Sequence, residues 1–102
     1  MVVSVVVVPE AEQDMADAYD WYEGRRVGLG EEFLSCLDAC IETIRRSPQM
    51  HALVFRNFRR ALLRRFPYAV FYEHELGVAI IFGVLHTSRH QARWMRRLAG
   101  NV

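Results

Sequence analysis

An α+β fold of order β-α-α-β-β-β-α, with a helical hairpin packed on an antiparallel sheet, follows from three features of this sequence. A β-branched run opens the chain. Two stretches of helical periodicity follow, joined by a glycine-bearing connection. Three apolar runs then alternate with tight turn signals. Residues 1–102 read as a single domain, long enough for one modest core.

Val2 to Val8 is β-branched almost throughout, the pattern of a strand covered on both faces. Pro9 opens the first helix, with Glu10, Glu12 and Asp14 in the turns where the helix dipole favours negative charge. Ala11, Met15, Ala18 or Tyr19, and Tyr22 recur at helical spacing, and Gly24 and Gly28 break the helix. A second helix spans about Leu29 to Arg46, with Phe33, Leu37, Cys40, Ile41 and Ile44 on one face. Ser47-Pro48 stops it, and so short a connection predicts an antiparallel hairpin. Phe58 to Phe66 reads as a strand that places arginines on both faces. Tyr68 to His74 is an aromatic strand, and Val78 to His86 is the most apolar and the central one. Gly77 supplies a positive φ for the turn between them, and Gly83 marks a bulge or a close backbone approach. Ser88-x-x-Gln91 is a capping box that opens a short terminal helix ending near Gly100.

The charges are sorted along this order. Ten of the twelve carboxylates precede Arg45, and eleven of the thirteen arginines lie from Arg45 onward. The first 44 residues therefore carry about −8 and the rest about +9, although the formal net charge is only +1. Such polarity gives the chain an anionic side and a cationic side, the latter suited to polyanions or acidic protein segments. Every cation is arginine, whose planar fork matches carboxylate and phosphate. Cys36 and Cys40, four apart on one helix, have poor geometry for a mutual disulfide, which points to a reducing, cytoplasmic setting. The apolar opening lacks the basic flank of a signal peptide, and no segment reaches the roughly 20 apolar residues of a membrane span.

Two arginine groups are candidate binding surfaces. Arg59, Arg60, Arg64 and Arg65 exceed the one or two charges that guard an edge strand, so they read as a docking face. Arg89, Arg93, Arg96 and Arg97 form one stripe on the terminal helix beside an apolar stripe of Trp94 and Leu98, and Trp94 joins the arginines as an expected partner contact. A solvated helix face is the competing reading for that stripe. Trp21 is expected to close the hairpin against the sheet. His86, at the end of an apolar strand, reads first as a hydrogen-bonded structural residue. Cys36, Cys40 and His51 make three potential ligands with no fourth at a recognisable spacing; core cysteines explain them better, and neither metal nor cofactor is expected.

The element order, together with WYEGRRVGLGEEF, RRALLRRFPYAVFYEHE and VLHTSRHQARW, resembles the RelE/ParE superfamily of toxins from bacterial toxin–antitoxin modules. The resemblance spans nearly the whole chain. Trp21-Tyr22-Glu23, Gly28-Leu29-Gly30, Phe66-Pro67-Tyr68 and His86-x-x-Arg89 look like the ParE-like branch, the plasmid-stabilisation toxins. The resemblance implies a small cytoplasmic growth inhibitor neutralised by a cognate antitoxin, ParD-like or similar. For the ParE-like branch it implies DNA gyrase as the target, and for the RelE-like branch mRNA cleaved on the ribosome.

Cleavage through the 2′-hydroxyl of RNA needs a base, cations for the developing phosphate charge and an acid for the leaving oxygen. RelE-like nucleases place an arginine at the start of the middle meander strand, where this chain has Tyr68. The clamp would have to be rebuilt from Arg65 and Arg89, with His86 as acid or base. Tyr68 therefore favours a non-enzymatic gyrase inhibitor. The ribosome-dependent endoribonuclease is the alternative, and an inactive relative that only binds its antitoxin is a third reading.

Overall fold

The computed structural model describes residues 2–89 and 91–100, with the backbone alone for 91 and 92. Its elements are β1 (Ser4–Val7), α1 (Pro9–Arg25), α2 (Leu29–Arg46), β2 (Ala52–Phe55), β3 (Phe58–Leu62), β4 (Tyr68–Glu75), β5 (Val78–His86) and α3 (Gln91–Ala99). The order is therefore the expected α+β arrangement with one further strand, β2. The five strands run β1-β5-β4-β3-β2 across one sheet, antiparallel except for the parallel β1–β5 pair.

The hairpin's geometry explains why its sequence looks as it does. α1 continues through Gly24 to Arg25 instead of breaking there. Gly28 then takes a φ of 90°, which an L side chain rarely adopts, and serves as the N-cap of α2. The cap acceptor comes from the other helix: the Glu23 carboxylate accepts the Gly28 N–H at 3.0 Å and the Gly30 N–H at 3.0 Å. It thus satisfies two donors that α2 leaves open at its positive end. A Cβ at Gly30 would lie 2.8 Å from the Tyr19 ring, so glycine lets the two helices approach.

The sheet separates two cores. On one face α1 and α2 pack Ala11, Ala18, Phe33, Leu37, Cys40 and Ile44 against Val70, Tyr72, Ile81 and Val84. Tyr22, not Trp21, closes this side: its ring lies 5.4 Å from Phe33, 4.8 Å from Phe66 and 5.9 Å from Tyr68. On the other face α3 lays Trp94 and Leu98 on Phe58, Ala69, Phe71 and Leu85.

Three strand expectations are corrected. β1 is an edge strand with Val6 half-exposed, so its β-branched run is covered on one face only. β3 stops at Leu62, because Leu63 to Pro67 form the connection to β4 and Arg65 adopts a φ of 69°. The middle of the sheet is β4, with β5 between it and β1. At Gly83 the first of the two expected features occurs: the β4–β5 register shifts beside it. A Cβ there would sit 3.5 Å from both Asp14 and Arg97, an ordinary contact, so no close backbone approach demands the glycine. The Ser88–Gln91 capping box rests on His90 and the Gln91 side chain, which lie outside the described residues.

Candidate functional site

The arginines singled out in the sequence divide into three groups once placed. Arg64, Arg89, Arg93 and Arg96 are exposed, and Arg60 is half-buried on the α3 side of the sheet. Arg59 turns onto the loop before β2, donating to the carbonyls of His51 at 2.7 Å and Gln49 at 3.2 Å. Arg97 leaves the expected stripe altogether. It grips Asp14 of α1 with two hydrogen bonds, at 2.9 and 3.1 Å, and donates to the Phe82 carbonyl at 3.2 Å. Trp94, expected as a partner contact, is instead 7% exposed and stacked on Phe71 at 5.0 Å. It packs α3 onto the sheet.

Asp14 is the residue that the sequence reading missed. The sequence places it only among the acids of the opening turns of α1, yet Asp14 lies between Ala11 and Ala18 on the buried side. Its carboxylate accepts the Val84 N–H at 3.1 Å as well as the Arg97 guanidinium. Pairing with β1 ends at Ile81, so this side chain substitutes for the missing strand neighbour further along β5. The available signal was positional: an acid at i+3 from one buried alanine and i−4 from the next.

Two depressions border the exposed cations. The larger, about 460 Å³, runs between α2 and the end of β3. Cys36, Ala39, Cys40 and Leu62 supply its apolar lining, and Glu32, Arg64 and Arg65 border it. Arg65 donates to Glu32 at 2.7 Å, and that bond, with a second from Arg26, holds the Glu32 carboxyl below the usual carboxylate range. Burial pushes the Cys40 thiol up to about 11. It donates weakly toward the Ala61 and Leu62 carbonyls, at 3.6 and 3.8 Å, as a packing residue of the core.

The smaller cleft, about 180 Å³, lies where α1, the paired ends of β4 and β5 and the start of α3 meet. Trp21, Tyr68, His86, Arg89 and Arg93 line it together with Asp14 and Asp17. The Tyr68 and His86 rings stand 5.3 Å apart, and burial raises the Tyr68 phenol above its ordinary pKa. The His86 Nδ1 accepts the Arg89 N–H at 3.0 Å and the Ser88 N–H at 3.2 Å, fixing the turn that leads into α3. His86 and Arg89 therefore meet in this cleft. Arg65, the third member of the expected clamp, borders the other depression and is held by Glu32. Among the described residues no helix is long and apolar enough to cross a membrane.

A family model described as the ParE toxin of type II toxin-antitoxin system, parDE, matches residues 5–91. Among solved structures, a chain of the chromosomal ParDE TA system from P. aeruginosa superposes with a TM-score of 0.75, over 85% of this chain and 98% of that one. The two are 13% identical, so this likeness speaks to the fold. The search of curated proteins finds no match.

Proposed function

The chain belongs to the ParE toxin family of type II toxin–antitoxin systems, and on that premise we propose that it is a cytoplasmic growth inhibitor that binds DNA gyrase without chemistry of its own. A cognate ParD-like antitoxin neutralises it. The observation that carries binding over catalysis is the division of the clamp between two depressions. Tyr68 stands where RelE-like nucleases have an arginine, Arg65 is tied to Glu32, and His86 Nδ1 is engaged by the turn before α3. A phosphate in transit between base and acid would find Arg89 and Arg93 nearby but no assembled cage.

The groove between α2 and β3 suits the antitoxin. It offers an apolar floor with arginines at its border, which fits an amphipathic or extended segment with acidic flanks. A complex built on these arginines should weaken steeply as salt rises.

A supercoiling assay with purified gyrase tests the proposal. Inhibition by a modest excess of the chain, relieved by a cognate ParD-like antitoxin, is the expected result. Unimpaired supercoiling at large excess would sink the gyrase reading. Cleaved mRNA in arrested cells, lost on His86→Ala and Arg89→Ala, would then favour the endoribonuclease; expression with no growth arrest would favour the inactive relative.

A further inference from the structure

Trp21 is 42% exposed, although an indole has more apolar surface to hide than any other side chain. Two guanidinium groups hold it in place: the Arg25 carbon lies 3.9 Å from the ring centroid and the Arg89 carbon 5.1 Å. Cation–π attraction of this kind orders a surface aromatic without burying it. The indole edge opens on the 180 Å³ cleft, whose floor is apolar (Ala18, Val84, Leu85) and whose polar groups are Tyr68, His86, Arg89 and Arg93. Of the two acids on its α1 wall, Asp14 is neutralised by Arg97, and Asp17 accepts an amide hydrogen of Gln13 at 2.8 Å. With Asp14 and Arg97 cancelling, Arg89 and Arg93 outweigh Asp17 and leave the cleft cationic.

We propose that this cleft seats one carboxylate side chain from an acidic segment of a protein partner. Its oxygens accept hydrogen bonds from Arg89 and Arg93, and its methylene stem lies against Trp21. Size supports a single side chain, since cavities that enclose small molecules begin at about 300 Å³. Composition supports a protein partner, because tryptophan, tyrosine and arginine are the residues that anchor protein interfaces. Arginine also pairs with carboxylates through two parallel hydrogen bonds. A nucleic acid fits less well. A phosphate backbone would carry several charges past Asp17 on the α1 wall, whereas a side chain entering end-on brings one. The inference rests on the reading of this chain as a protein-binding inhibitor, but not on gyrase being the protein bound.

Tryptophan emission of the full chain provides the test, with buried Trp94 as a constant background and Trp21 as the reporter. The probes are a capped hexaglutamate peptide and a six-nucleotide oligothymidylate, both at low salt. Hexaglutamate should produce a saturable change that disappears in Trp21→Phe. The change should weaken at least tenfold in Arg89→Gln and in Arg93→Gln, and persist in Arg46→Gln, at the exposed end of α2 outside both depressions. Should Arg89→Gln fail to fold, Arg93→Gln on the exposed face of α3 decides alone. The proposal is overturned by the absence of a saturable change, by equal weakening in Arg46→Gln, or by tighter binding of the oligonucleotide. Because peptide binding is read directly, a negative supercoiling assay leaves it standing. Gyrase inhibition without peptide binding overturns the cleft assignment alone.

Discussion

The two faces of the sheet are built on different principles. The hairpin face is closed by rings and aliphatic groups, with Tyr22, Phe33, Phe66 and Tyr68 forming a continuous aromatic cluster under α1 and α2. The α3 face is a smaller patch, in which Trp94 and Leu98 meet the sheet and the ion pair of Arg97 with Asp14 ties α3 to α1. A large apolar interface stabilises by area and tolerates little loss, because its neighbours cannot collapse into a void. A small one leans on a directional pair. The first face is the fold itself; the second is an arm docked onto it.

Truncation should show the difference most strongly. Phe33→Ala is expected to cost about 3–5 kcal/mol in urea unfolding, whereas Leu98→Ala should cost nearer 2 kcal/mol, because α3 can settle into the gap. Amides of α3 should also exchange through local opening, well before those of β4 and α2. Equal costs with uniform protection would break the comparison and make α3 part of the main core.

The latch should be asymmetric. Asp14→Ala leaves both the Val84 N–H and the Arg97 guanidinium without their carboxylate, so it is expected to cost about 2–3 kcal/mol. Arg97→Ala leaves Asp14 still bonded to Val84, and about 1–2 kcal/mol is expected. Unfolding of the two single variants and the double variant measures the coupling, and a larger cost for Arg97→Ala would contradict this account of Asp14.

The hairpin face also carries its own alkaline limit. In the folded chain the Cys40 thiol is raised from its usual 9.0 to about 11, so the folded state holds its proton more tightly than the unfolded chain. Stability is therefore intact below pH 9 and is lost as pH rises through 11, by about 1–2 kcal/mol. Tyr72, pushed up to about 12 by burial, adds a loss of the same sign that starts higher. Cys40→Ala should flatten the part between pH 9 and 11 in a stability-versus-pH series. An unchanged slope would place the alkaline loss elsewhere.

What was legible in the sequence followed from local chemistry. Pro9, the apolar stripe of α2, the Ser47-Pro48 stop and Gly77 each act on their own neighbourhood, and each appears where the residues put it. β2 escaped because it is four residues long with a half-exposed pattern, and its turn, Arg56-Asn57, carries no glycine. The departures at the candidate site share a different cause. Asp14 and Arg97 are 83 residues apart, and Arg65 turns toward Glu32 across 33 residues, so neither pairing leaves a periodic trace. Trp21 and Tyr22 are adjacent on one helix, about 100° apart around its axis. Composition could not say which of them would face the sheet.

The smallest expected effect lies in the turn that the two faces share. Leu76 is 93% exposed and holds a φ of 51°, beside Gly77 at 78°, in the two-residue connection between β4 and β5. Both residues are left-handed, a geometry for which Asn-Gly is the preferred pair and in which a branched side chain is strained. Leu76→Asn should therefore stabilise the chain by a few tenths to about 1 kcal/mol, seen as a higher urea midpoint. The gain belongs to the β4–β5 ladder, which supports the hairpin core on one side and α3 on the other. Global unfolding must break that ladder, so exchange of β4 and α2 amides should slow. Local release of α3 leaves the ladder intact, so α3 amides should exchange at their former rate. If α3 slows in step with β4, the arm opens only when the whole sheet does, and the distinction between the two faces disappears.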